Sequence, residues 1–323
     1  MTPGGDEGWN PSEPAARWLT RALVQGFSPS DKSRITSILA EASDHTGIAS
    51  VVGATAVKQP DDLAGEVIGA AQALAEATTA SNSSVLERWR EVGEAFEDQR
   101  LRWAALHGLS HLGTLYPDPE DRLVRTLHVL VHRYDAPRAR VLLATRGLAA
   151  TGGARGPWLY RGAGISVCVH DRLQPPAFPE VPLSPFLEGG QLDETAMVKR
   201  MAGVATFAAH RLLATQKLWQ TALADPLHIA EAAVLAQRAG AEAAEMWAER
   251  CRRWGVGKLW RRAAEVDHWL LGDARPEWLA AGYGSFPVAD VAQGVSLRQG
   301  LVLQDGPAGM VGYLFRRLVL RQA

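Results

Sequence analysis

The sequence predicts a mainly α-helical fold: an irregular antiparallel, solenoid-like array of helices followed by a helical bundle, joined by a short Gly/Pro-rich connection with a candidate strand inside it. Three observations predict it. Apolar residues recur at helical spacing from residue 15 to about 150. Glycine and proline crowd residues 151–190. Beyond 190 the helical pattern returns in longer runs. With 323 residues, 47% hydrophobic and 21% charged, the chain is ordinary globular material and long enough for two packed units. The division that follows is a tail at 1–14, an N-terminal helical domain at 15–150, a connection at 151–190 and a C-terminal bundle at 191–323.

Residues 1–14 hold three glycines and three prolines among polar residues and read as a flexible tail. Helical spacing begins at Ala15 and carries Leu19 and Leu23, then Ile35, Ile38 and Leu39. Pro60-Asp61-Asp62 looks like a helix start, because acids there suit the positive end of the helix dipole. An Ala-rich run over 63–79 follows and ends in a Thr/Ser/Asn segment. Ser84 and Glu87 match a capping box, which predicts a new helix there. That helix carries Trp89, Val92, Phe96, Trp103 and Leu106 and stops near Gly113. Tyr116-Pro117-Asp118-Pro119 is a turn. The next helix has Leu123, Leu127, Leu130 and Tyr134 in one stripe, and Asp135-Ala136-Pro137 separates it from another that ends near Ala150.

Within 151–190, Ile165-Ser166-Val167-Cys168-Val169 alternates β-branched and small residues and is the candidate strand. After it, residues 193–222 read as one long helix. Asp225-Pro226 makes an N-cap and first-turn pair for a helix reaching Trp254, with Gly240 as its weak point. Lys258–Leu271 is a further helix, and Trp278 and Tyr283 lie in a shorter element. Residues 288–303 and 310–321 suggest a final hairpin around Gly306-Pro307. Met310, Tyr313, Leu314, Leu318 and Val319 share a face there, with Arg316, Arg317 and Arg321 beside it, and docking on its own domain is the favoured reading.

Net charge is -1, which gives the whole chain no pull toward nucleic acid or membrane. The first 100 residues carry 15 acids against 8 bases, so the remainder is net positive. Cys168 and Cys251 are two lone cysteines, neither with a neighbour at metal spacing, and a reducing compartment is the default. The N-terminus has neither a basic start nor an apolar stretch of the secretory kind, and the longest apolar runs are interrupted by Lys199, Arg200 and Arg211. A soluble cytoplasmic protein is the expectation.

Two constellations stand out. His107 and His111 are four apart, as are His128 and His132, so two neighbouring helices would each present a histidine pair on one face. Imidazoles converging from two helices suit a transition metal or haem. The text around His107 lacks the glutamate of a zinc-protease helix. The second is an aromatic and basic run: Arg250, Arg252, Arg253, Trp254, Lys258, Trp260, Arg261 and Arg262. Arginine forks suit phosphate or carboxylate, and tryptophan adds stacking. Trp247 and Trp254 are seven apart, which is core-stripe spacing. A second arginine-rich stretch spans Arg133 to Arg161.

No phosphate loop, dinucleotide fingerprint, nucleophile elbow or activated cysteine is present. The functional expectation is therefore a non-enzymatic helical adaptor, with no cofactor, whose arginine-rich surface contacts an anionic protein or nucleic-acid partner. The alternative is a metal- or haem-dependent helical enzyme that uses His107, His111, His128 and His132.

Overall fold

The structure, a computed structural model, describes residues 15–40, 47–58, 65–151, 157–174, 179–220 and 226–281. The expected tail at 1–14 and the expected C-terminal hairpin lie outside the described residues. The chain forms two compact units. Among the described residues, the first takes in those within 25–172 and 182–206, and the second those within 15–24, 173–181 and 207–281.

The elements run in this order: α1 (Ala15–Gln25), α2 (Lys32–Ala40), α3 (Gly47–Lys58), α4 (Gly65–Asp98), β1 (Trp103–Leu106), α5 (His107–His111), β2 (Leu127–Val131), α6 (Ala136–Thr145), β3 (Ala149–Ala150), β4 (Trp158–Gly162), β5 (Ile165–His170), α7 (Ser184–Leu187), β6 (Gln191–Asp193), β7 (Val198–Arg200), α8 (Gly203–Gln220), α9 (Pro226–Arg238), α10 (Ala241–Arg253), α11 (Gly257–Leu271) and α12 (Glu277–Ala281).

The purely helical array is overturned by a five-stranded mixed sheet in the first unit, ordered β1-β2-β5-β4-β3, and a two-stranded β6-β7 hairpin. β1 pairs antiparallel with β2, and β2 pairs parallel with β5. β4 lies antiparallel to both β5 and β3. The parallel β2–β5 pair is non-local: α6, β3 and β4 intervene in the chain.

Alternation sorts the two central strands. Leu127, Val129 and Val131 of β2, with Ile165, Val167 and Val169 of β5, all join one apolar core. The same core takes Trp89, Val92 and Phe96 from α4 and Ala136, Ala139 and Leu143 from α6. Trp89, Phe96 and Trp103 meet edge to face in a triangle with ring centroids 5.5 to 5.9 Å apart. Fully burying each such side chain contributes roughly 1.5–3 kcal/mol.

Helix α4 has 34 residues, about 51 Å at 1.5 Å per residue. It runs through the segment expected to end one helix and begin another. Ser84 is therefore a mid-helix residue and caps nothing. Its buried stripe, Ala71, Leu74, Thr78, Asn82, Trp89, Val92 and Phe96, steps by three, four and seven. Gly93 sits where α4 passes the β6–β7 turn. A Cβ there would lie 2.6 Å from the Met197 carbonyl oxygen, the same oxygen that accepts a 2.9 Å hydrogen bond from Trp89 Nε1.

Asn82 anchors the loop that leads into β2. Its Nδ2 donates to the carbonyls of Pro119 at 2.6 Å and Arg122 at 2.8 Å, and its Oδ1 accepts from Val124 N at 2.9 Å. Ser50 Oγ accepts from Leu123 N at 2.8 Å. Lys58 reaches Asp118 and Asp121 at 2.8 and 2.6 Å. The two acids together hold the Lys58 ammonium above its usual pKa despite partial desolvation. Helices α3 and α4 thus fix where β2 begins.

Other expectations change with the sheet. The helices drawn through Trp103–Leu106 and through Leu127–Tyr134 are strands β1 and β2. The single long helix expected at 193–222 is the β6–β7 hairpin followed by α8. Asp193 opens the turn of that hairpin. Its Oδ1 accepts from Thr195 N and Ala196 N at 3.1 Å each, and Arg200 pairs with its Oδ2 at 3.1 Å. The backbone bond from Ala196 comes first among the causes that hold this carboxyl below its usual range.

The second unit is helical. Arg238 ends α9 and Ala241 starts α10, so the break falls at Gly240. Ile229, Ala233, Ala264, Leu270, Leu271 and Leu279 form a core, with Val24 and Trp278 against it. Arg211 is fully buried and pairs with Asp267 at 2.9 Å. Its guanidinium also lies 4.4 Å from the Trp260 ring centre. Burial pushes the Asp267 carboxyl up to about 6 against the opposing pull of Arg211. Among the described residues, no helix is long and apolar enough to cross a membrane.

Candidate functional site

The same alternation that fills the core puts polar side chains on the opposite face of the sheet. In β5 the residues out of phase with the core are Ser166, Cys168 and His170, and in β2 they are His128 and Leu130. The parallel register sets His128 opposite Cys168 and Leu130 opposite His170. His128 Nδ1 and His170 Nε2 come to 3.0 Å, and Cys168 Sγ lies 3.5 Å from His170 Nε2. One ligand-type atom from each of the three side chains falls within 4.8 Å of the others. Cys168 and His170 are buried and His128 is half-buried.

His107 joins from β1. Leu106 pairs with His128 across the antiparallel ladder, so the next residue leaves the strand beside it. The His107 ring stands edge-on to His128 with centroids 5.0 Å apart, and 6.3 Å from His170. His107 has φ of +51°, a left-handed conformation that costs a non-glycine residue about 1–2 kcal/mol. Such strain persists where surrounding packing holds it, and it clusters at functional sites. The sheet thus gathers three imidazoles and a thiol on one face.

Of the four histidines picked from sequence, the structure brings together His107 and His128. His111 turns to Tyr116, with ring centroids 6.3 Å apart, and His132 to Tyr134 at 5.4 Å. The reason is geometric. Residues four apart on a helix are neighbours about 5–6 Å apart. On an extended segment they are about 13 Å apart. Because 127–131 is a strand, His128 and His132 cannot act as a pair, and the helical four-histidine site does not form. Cys168 and His170 take the vacated places. Strand alternation in Ser166-Val167-Cys168-Val169-His170 was a legible signal for their shared face.

The aromatic and basic run lies in the second unit, on α10, α11 and the turn between them. Arg250 stacks over the buried Trp247 with its guanidinium carbon 4.8 Å from the ring centre. Arg252 and Arg253 are exposed, and both pair with Glu249, at 2.6 and 2.9 Å. Hydrogen bonding from Arg253 leads the causes that lower the Glu249 carboxyl. Trp254 is half-buried, Lys258 and Arg261 are exposed, and Trp260 is buried against Phe207. The Arg262 side chain lies outside the described residues. Cys251 is buried, and desolvation pushes its thiol up to about 12.

A family model described as an uncharacterised nucleotidyltransferase matches residues 35–272. No curated protein and no solved structure matches the chain. The matched stretch covers the sheet and the clustered His107, His128, Cys168 and His170. It corrects the expectation of a non-enzymatic adaptor, because the family is one of enzymes, and the mixed α/β architecture corrects the all-α description. The metal- or haem-dependent helical enzyme fares no better, since its four histidines are not gathered on two helices.

Proposed function

The chain belongs to the uncharacterised nucleotidyltransferase family, and on that premise we propose that it is an enzyme that transfers a nucleotidyl group at the polar face of its five-stranded sheet. The observation that carries this reading is the coincidence of two features. The family match contains the whole sheet, and the sheet's polar face holds a gathered set of proton-transferring side chains beside a strained residue.

In such a transfer an acceptor oxygen bonds to the α-phosphorus of a nucleoside triphosphate, the bond to pyrophosphate breaks, and the acceptor hydroxyl loses its proton. His128 is the group we assign to take that proton. It is the half-buried imidazole of the cluster, whereas its neighbours are buried. Imidazole is the side chain that most often serves as a general base. His170 Nε2, 3.0 Å from His128 Nδ1, orients the ring. His107 closes one side of the cluster.

Reactions of this type ordinarily offset phosphate charge with a hard divalent cation carried on carboxylates. The residues of this sheet do not fit such an ion. None of the five strands contains an aspartate or glutamate, and the clustered donors are nitrogen and sulfur. No step is routed through a hard cation here.

The test is equilibrium binding of each of the four common ribonucleoside triphosphates, followed by transfer of an α-phosphate label to acceptors in a metabolite extract. Binding of at least one nucleotide and label transfer with pyrophosphate release are expected. His128→Gln should keep binding and lose roughly 10²- to 10⁴-fold in transfer, the usual contribution of a positioned base. No binding at millimolar nucleotide, or transfer unaffected by His128→Gln, would contradict the assignment.

A further inference from the structure

We propose that His128, Cys168 and His170 form a three-ligand site for a borderline-soft divalent metal of the zinc type, with one coordination position open. The site stands on the strand register and the three side chains; metal on His128 Nδ1 would leave the proton on its Nε2, so a bound ion blocks the base role proposed for His128, and the two belong to different states of the protein.

Distances carry the argument. Zinc binds imidazole nitrogen at about 2.0–2.1 Å and thiolate sulfur at about 2.3 Å, tetrahedrally. Two tetrahedral nitrogens are then about 3.3 Å apart, and a nitrogen and a sulfur about 3.6 Å apart. The protein holds His128 Nδ1 and His170 Nε2 at 3.0 Å and Cys168 Sγ and His170 Nε2 at 3.5 Å. Both of these pairs stand close to where such an ion would hold them, and the ligand atoms of all three side chains lie within 4.8 Å of one another.

Donor chemistry carries the rest. Imidazole and thiolate select zinc, cobalt and similar ions, while magnesium and calcium want oxygen. Three protein ligands with a fourth position open is the arrangement of reactive rather than purely structural zinc sites. The ligands lie on two adjacent, hydrogen-bonded strands, so the site is preformed and little chain entropy is lost on binding. His107 is not one of this group and stands edge-on to His128 beside it. Binding would take the proton from the Cys168 thiol.

The test uses the full chain stripped of metal with a chelator and then titrated with Co²⁺. Cobalt tightly bound at one equivalent is expected, with visible bands of tetrahedral intensity and a near-ultraviolet sulfur-to-cobalt charge-transfer band. Zn²⁺ should displace it, and a hundredfold excess of Mg²⁺ should not. Cys168→Ser should remove the charge-transfer band. Cys251→Ser should leave it intact, because that thiol sits in the other unit. His170→Gln should weaken cobalt binding at least tenfold, and circular dichroism of both cluster variants should match the parent. Absence of stoichiometric cobalt, or a charge-transfer band that survives Cys168→Ser, would overturn the proposal. Nucleotide binding and transfer are measured on the metal-stripped protein, so failure of this site and failure of the transfer reading are read separately.

Discussion

Replacing Asn82 with Ala should loosen the entrance to β2 and destabilise the first unit by about 2–3 kcal/mol. The side chain makes three hydrogen bonds to backbone groups of Pro119, Arg122 and Val124, at 2.6, 2.8 and 2.9 Å. A typical hydrogen bond of this kind contributes about 1 kcal/mol net, and more where the orphaned partner stays buried. Against that sum, Ala improves helix propensity by roughly 0.5 kcal/mol. Asn82 lies inside α4, so the helix itself should survive. The effect should therefore fall on residues 117–131. Amide hydrogen exchange read on peptides covering that stretch would show it, with protection falling about 30- to 150-fold while peptides over 65–80 keep theirs. Asn82→Asp should be at least as damaging, since it retains the acceptor but loses both donated bonds and adds a buried charge. A change of less than 0.5 kcal/mol in Asn82→Ala, or loss of protection spread evenly over the unit, would refute the anchoring role.

Gly93→Ala should cost about 1–3 kcal/mol through overpacking, because the new Cβ would meet the Met197 carbonyl oxygen at 2.6 Å. Urea unfolding followed by tryptophan fluorescence checks it, and unchanged stability would show that the hairpin moves aside freely. Asp267→Ala should cost about 3–5 kcal/mol in the second unit by removing a buried carboxylate that pairs with the buried Arg211 at 2.9 Å, an effect a thermal melt would register. Asp193 supplies a pH test. Its folded pKa lies below the unfolded value because Ala196 N, then Arg200 and Thr195 N, favour the carboxylate. Its stabilisation is thus complete above the unfolded value near pH 4 and is lost as pH falls below it. Asp193→Asn should flatten the acid limb of the stability profile below about pH 4.

The helical half of the fold was legible because its signals are local. Gly240, Pro226 and the run 258–271 act through neighbours in the chain, while Asp225 lies outside the described residues. Of the sheet, the candidate strand Ile165–Val169 was legible and is β5; the rest was not, because short strands satisfy two periods at once. Leu123, Leu127, Leu130 and Tyr134 fit a helix stripe, while Leu127, Val129 and Val131 fit a strand, and five residues cannot separate the two. β1, Trp103–Leu106, is buried at every position and so alternates nowhere. The polar segment around Asn82 read as a helix end; its amide instead serves distant loop carbonyls, a tertiary role with no local trace. The site divides in the same way. His107 and His128 were visible as one member each of two spaced pairs. Their convergence with Cys168 and His170 depends on the parallel β2–β5 register, which joins residues some forty positions apart.

The most direct test of the sheet face as the reaction centre is side-chain NMR of the histidines during nucleotide titration, with His107, His128 and His170 assigned by single Gln substitutions. Saturable shifts of these three resonances, at the same nucleotide concentration that saturates equilibrium binding, are expected. Nucleotide that saturates the protein while all three resonances stay in place would contradict the account.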